Sequence, residues 1–168
     1  IGKLLNKQLG CPFLDADDSH PPQNIAKMAS GTPLNDSDRW SWLDRLAEEL
    51  QHYIERGESA ILACSALKQS YRQRLAPDPT LVHFVHLQGD YDLILSRLQQ
   101  RTEHFMPAEL LQSQFADLEP CLNGLVVSIN QTPAAIAEQI ISHLGLKKPC
   151  RTQTLADGLM FPEAPRWF

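Results

Sequence analysis

The feature that most narrows the possible folds is a repeated pairing of a short, wholly apolar run with an amphipathic helical stretch. Ser59-Ala60-Ile61-Leu62-Ala63-Cys64 is small or apolar throughout, the pattern of a strand covered on both faces, and a helix is predicted behind it over 65–75. Leu81 to Leu87 repeats the strand, and 91–100 repeats the helix with Leu93, Ile94 and Leu98 turned inward. A further strand at 125–129 precedes a helix over 133–144, and a helix over 107–118 joins the two units; proline opens both helices, where its missing N–H costs nothing. Nearer the start, residues 1–9 place Ile1, Leu4, Leu5 and Leu9 on one helical face, and Gly10 stops them. Phe13-Leu14 then forms a short strand that ends in Asp15-Ala16-Asp17-Asp18, and 24–29 fits a short helix. Asn35 to Asp38 offers caps for a long helix carrying Trp40, Trp42, Leu43, Leu46, Leu50, Tyr53 and Ile54 at spacings of three and four, closed by Gly57. Such alternation predicts an α/β fold, doubly wound, with helices on both faces of a parallel sheet.

A chain of 168 residues fits one domain. We expect that domain over 1–146, with 147–168 as a C-terminal tail that holds three prolines and ends in Trp167-Phe168. A net charge of −5, with no basic run longer than Lys147-Lys148, leaves no electrostatic footprint for nucleic acid. No apolar run approaches the roughly eighteen residues of a membrane span, so a soluble, cytoplasmic protein without a membrane partner is expected. The cysteines at 11, 64, 121 and 150 show neither a C-x-x-C pair nor zinc-ligand spacing, and reduced thiols are the expectation.

In a doubly wound sheet, ligands bind beyond the carboxyl ends of the strands. The polar clusters of this chain fall there. Asp15 and Asp17 bracket a small residue at a strand end, where one carboxylate can face a metal ion or its water while the other reaches a substrate hydroxyl, as phosphoryl transfer requires. A solvated acidic turn accounts for the same pattern. His20, ahead of Pro21-Pro22, reads alone as a turn residue, and Asp36 and Asp38 suit a helix N-terminus; capping leaves Arg39 unexplained. Lys68 and Arg72, four apart, share a helix face that suits an anionic ligand or simply water. The stretch Arg97 to Met106 brings two arginines into a link between helices, which fits either a mobile lid over phosphates or an ordinary loop.

In order and spacing these elements resemble one family, the gluconokinases, P-loop sugar-acid kinases related to shikimate and nucleoside-monophosphate kinases. The resemblance rests on FLDADDSHPPQNIAKMASGTPLNDSDRWSWL, ILACSALKQSYRQRL and HLQGDYDLILSRLQQRTEHFMPAELLQSQFADLEP. It covers nearly everything from Ile1 to about Leu146. The combination of DADxxHP, GxPLNDxDR, CSALKxxYR and HFMPxxLLxSQFxxLEP carries it. It implies a kinase of carbohydrate metabolism that uses ATP and Mg²⁺ to phosphorylate D-gluconate to 6-phospho-D-gluconate, and a possible homodimer. Asp17, as the group that orients or deprotonates the hydroxyl, and Asp15, near Mg²⁺ through water, would then be catalytic. His20, Asp36, Arg39, Lys68 and Arg72 would line the gluconate pocket with Asp17, with His104 and Gln114 near the substrate, and Arg97 and Arg101 would belong to the ATP lid.

One family motif is missing. The G-x-x-x-x-G-K-[ST] loop, whose backbone N–H groups and lysine cradle the β- and γ-phosphates, occurs nowhere in the 168 residues, and Ile1-Gly2-Lys3-Leu4-Leu5 matches the helix just after it. The resemblance implies a strand order of 2-3-1-4-5 with the first strand, central in the sheet, missing here. The chain is therefore expected to be a truncated form, less stable than its relatives and weak for ATP. The alternative function is an impaired remnant or isoform that binds a sugar acid or a partner without phosphoryl transfer.

Overall fold

The computed structural model of the protein describes residues 1–76, 78–100 and 110–146. In chain order these form α1 (Gly2–Leu9), β1 (Phe13–Asp15), a 3-10 turn (Ala16–Ser19), α2 (Pro22–Ala29), α3 (Asp36–Glu55), β2 (Ile61–Ala63), α4 (Gln69–Leu75), β3 (Val85–Gln88), α5 (Tyr91–Gln99), α6 (Leu111–Asp117), β4 (Leu125–Ser128) and α7 (Pro133–His143). The termini follow from local chemistry. Gly10 adopts the left-handed conformation (φ 72°) that lets its N–H reach the Asn6 carbonyl at 2.8 Å and close α1. At the start of α3, Asn35 Oδ1 accepts from the Asp38 N–H at 2.9 Å while Asp38 Oδ2 accepts from the Asn35 N–H at 2.8 Å, a reciprocal cap that stabilises a helix by about 1 kcal/mol.

The strands form two parallel pairs. Phe13, Leu14 and Asp15 register with Ile61, Leu62 and Ala63, and Val85 to Gln88 register with Leu125 to Ser128. Helices cover both faces of the first pair and pack on one face of the second. On one face Leu5 and Leu9 of α1 join Ile136, Ala137 and Ile140 of α7 over Ile61, Val85, Leu125 and Val127. Trp42, Leu43 and Leu46 of α3 join Tyr71 and Leu75 of α4 on the other face, over Leu62 and Phe84. Each such side chain, taken wholly from water, adds about 2 kcal/mol. Ile61 and Leu62 thus feed opposite layers, as expected of a strand buried on both sides, and the architecture is three-layer α/β/α.

No ladder joins β2 to β3 among the described residues, although Ile61 of β2 and Val85 of β3 pack into the same core under α1 and α7. The family order implied by the sequence sets another strand between these two. Each therefore keeps one edge unpaired among the described residues.

Two expected elements shift. The helix expected from Ser65 begins at Gln69, because 64–68 forms an extended loop in which Ala66 takes a positive φ of 34°. The strand expected from Leu81 begins at Val85, since Asp78 accepts from the N–H and hydroxyl of Thr80 in a turn and Leu81 stays exposed. Cys64 and Cys121 are free, as expected, but Cys11 is disulfide-bonded; sequence spacing does not show which thiols meet in space. Among the described residues no helix is long and apolar enough to cross a membrane. The tail 147–168 and the stretch holding Arg101 and His104 lie outside the described residues.

Candidate active site

The site is built where β1 and β2 end, on the side of the sheet covered by α3 and α4. Asp15 closes β1 and caps the 3-10 turn, accepting the Asp17 N–H at 3.2 Å. The turn is fixed from behind by α3: Trp42 donates its indole N–H to the Ala16 carbonyl at 2.8 Å, and Arg45 donates to the Ser19 carbonyl at 3.2 Å. Trp42, 1% exposed, also forms the floor under His20, with ring centroids 4.1 Å apart and planes 14° from parallel. Burial, with Arg39 nearby, pulls the His20 pKa down to about 4, so the ring is neutral at pH 7. Its Nδ1 is buried and finds no hydrogen-bond partner among the described residues.

The first turn of α3 supplies the next groups. Lys27 donates to Asp38 at 2.5 Å, and Asn24 donates to the Asp38 carbonyl at 2.8 Å, so α2 braces this turn. Arg39 is buried, donates Nη2–H to the Leu34 carbonyl at 3.2 Å, and leaves Nε without a partner among the described residues. Its charge reaches His20, Asp36, Asp38 and Cys64. Cys64 lies just past β2, and its thiol is pushed up to about 12 by burial first, with Asp17 and Asp15 adding to the rise. These mutual influences place the turn after β1, the start of α3 and the end of β2 in one electrostatic neighbourhood.

Asp36, Lys68 and Tyr71 close the cluster. The Asp36 Oδ1 atom accepts from Lys68 Nζ at 2.7 Å and from the Tyr71 hydroxyl at 2.5 Å. Those two bonds, that of Lys68 first, hold the Asp36 carboxyl below the usual carboxylate range, and the Asp36 bond in turn raises Lys68. Lys68 also lies 3.9 Å from Asp117 of α6.

Arg72 is placed differently from the sequence expectation. Nη1 donates to the Ala66 and Leu67 carbonyls at 2.9 Å each, Nη2 to those of Glu119 and Pro120 at 3.2 and 2.8 Å, and Nε to Gln69 Oε1 at 3.3 Å. All five guanidinium donors are thereby engaged within the protein. Shared-face spacing with Lys68 suggested a common ligand, but the chain turns back at Ala66 and presents carbonyls to Arg72 instead. Arg97 stands apart, donating to the Ile129 carbonyl at 3.0 Å beyond β4. Gln114 lies half-buried on α6, the helix that also carries Asp117. Among the described residues no group of three or more His, Cys, Asp or Glu side chains is placed to hold a metal ion.

Two contributors escaped the sequence reading as functional groups. Trp42 and Tyr71 sit at helical spacing among core residues, where an aromatic signals packing and nothing more. Only the acceptors of their polar ends reveal the second role.

Such an arrangement offers a buried neutral imidazole, a cationic pair, two carboxylates at a strand end, and the Asp36 carboxyl held below its usual range at the start of α3. It suits a polar, anionic ligand rich in hydroxyl groups. No protein-family model matches the chain. Over 119 residues it is 45% identical to the thermosensitive gluconokinase of Escherichia coli (strain K12), a match that covers 71% of this chain and 64% of that protein. It is 42% identical to the gluconokinase of Arabidopsis thaliana over 156 residues, 84% of this chain and 82% of that one. Among solved structures, a gluconokinase from Sinorhizobium meliloti 1021 superimposes with a TM-score of 0.76 at 38% identity, covering 86% of this chain and 82% of the other.

Proposed function

Because the chain belongs to the gluconokinase family, we propose that its site serves the transfer of the γ-phosphoryl group of ATP to the 6-hydroxyl of D-gluconate. The products are 6-phospho-D-gluconate and ADP. The observation that carries this reading is the convergence of Asp36, Arg39 and Lys68 beside the Asp15–His20 turn. Lys68 and Arg39 supply positive charge for the sugar-acid carboxylate, and Asp36 and His20 supply acceptors for its hydroxyls. Asp17 then orients the 6-hydroxyl and takes its proton as the oxygen attacks phosphorus and the bond to ADP breaks. Asp15 offers the hard oxygen that a hydrated Mg²⁺ favours, and that ion, when bound with ATP, offsets phosphate charge. Arg72 serves at one remove, by holding the loop that carries Lys68. His104 and Gln114 near the substrate, Arg97 and Arg101 over ATP, and a homodimer complete the proposal.

An assay coupled to ADP release tests it, run on this chain and on one extended N-terminally by an apolar strand and a G-x-x-x-x-G-K-[ST] loop. The extended protein is expected to release ADP only when gluconate and Mg²⁺ are both present. An extended protein that binds ATP yet ignores gluconate overturns the substrate. Should both chains bind gluconate but neither release ADP, the non-catalytic alternative holds.

A further inference from the structure

We infer that Tyr71 is the positioning residue of the site: its hydroxyl fixes the Asp36 carboxylate so that Oδ2 is presented to a substrate hydroxyl, while its ring backs Arg39 and Lys68. The inference deepens the gluconokinase reading and rests on it for the identity of the substrate. Tyr71 is 1% exposed and lies in the core formed by α3 and α4, which by itself would make it a packing residue. Its polar end says more. The hydroxyl spends its hydrogen on the carboxylate of the first residue of α3, a side chain that is 50% exposed.

A buried phenol bonded to a half-exposed carboxylate is an orienting contact across two helices. Lys68 binds the same Oδ1, so both donors load one oxygen. Oδ2 has no partner among the described residues. The carboxylate is thereby held ionised and fixed in rotation, with its second oxygen left as an acceptor. The same ring meets Arg39 and Lys68, each 5.6 Å from its centroid, and Trp40 meets it edge-on at 5.6 Å. Two cations resting on one ring, with Asp36 between them in charge, keep a spacing that neither flexible side chain holds alone. The charged groups around Asp36 are thus Lys68, which caps the start of α4, and Arg39 on α3, with the neutral Tyr71 hydroxyl beside them and Asp117 beyond Lys68.

A double-mutant cycle read by gluconate calorimetry decides the matter, with the Asp36 carboxyl followed by carbon NMR through a pH titration. Tyr71→Phe keeps the ring and removes only the hydroxyl. It is expected to weaken gluconate binding about tenfold, the size of one charge-assisted hydrogen bond. In the Asp36→Asn background the same change is expected to cost almost nothing, because the two residues act as a unit. The Asp36 titration midpoint should rise in Tyr71→Phe, while a residue that only packs would leave it in place. An equal penalty in both backgrounds, or an unmoved midpoint, overturns the inference. If the unaltered chain binds no gluconate, the functional reading fails, and the Asp36 midpoint alone then upholds or overturns the role of Tyr71.

Discussion

A histidine ring laid flat on an indole and shut away from water resists protonation, and His20 pays for its place on Trp42 in pH dependence. Unfolded, it protonates near its ordinary value of 6.5; folded, it does so near 4. Between those values the unfolded chain holds the extra proton, so this residue's contribution to stability is complete above 6.5 and is lost as pH falls toward 4. Thermal melts at a series of pH values should show Tm declining through that window, and His20→Gln should remove that component of the decline. A slope unchanged by the substitution would mean that the ring titrates normally in the folded state. At this scale the positions of Asp15 and Asp17 after β1, of Asp36 and Arg39 at the start of α3 and of Lys68 beyond β2 were legible, because predicted strand ends and helix starts set them. Trp42 and Tyr71 were not, since their apolar bodies obey core periodicity and hide their polar ends. Arg72 misled: a four-residue spacing fixes a face but not what a neighbouring loop offers to it.

Element boundaries were legible wherever a local signal stood alone. Gly10, the Asn35–Asp38 cap and Pro133 mark their termini in the sequence, and the structure uses each of them. The start of α4 is not written locally. It depends on Arg72 reaching back to Ala66 and Leu67, and on Glu119 Oε2 accepting the Gln69 N–H at 2.5 Å from a distant segment. The strand edges give a prediction of their own. Ile61 donates to the Pro12 carbonyl, and Phe84 and Gln88 accept from Leu125 and Ile129. By strand alternation, the amides of Leu62, Val85 and Leu87 point toward the unpaired edges. Hydrogen exchange should therefore be fast at these three positions and slow at Ile61 and Ala63, whose amides face β1. Equal protection on both sides of β2 would mean that its second edge is covered in solution.

For the whole molecule, the decisive property is convergence, and convergence is a product of topology. Asp15, Asp36 and Lys68 lie on three successive segments, yet parallel β1 and β2 bring the first and third to one rim, and α3 crosses to deliver the second. The sequence shows that each unit ends in polar residues; only the register of β1 with β2 and the packing of α3 on α4 show that those ends meet. The family resemblance supplied the order of strands, and the two separate pairs match what that order leaves on either side of its central position. A crystal structure of the chain grown with D-gluconate tests the account most directly. The sugar acid should rest against Asp36 Oδ2 and Lys68, within reach of Asp17, His20 and Arg39, while Arg72 keeps its backbone partners. Gluconate bound elsewhere on the molecule, with that rim untouched, would contradict it.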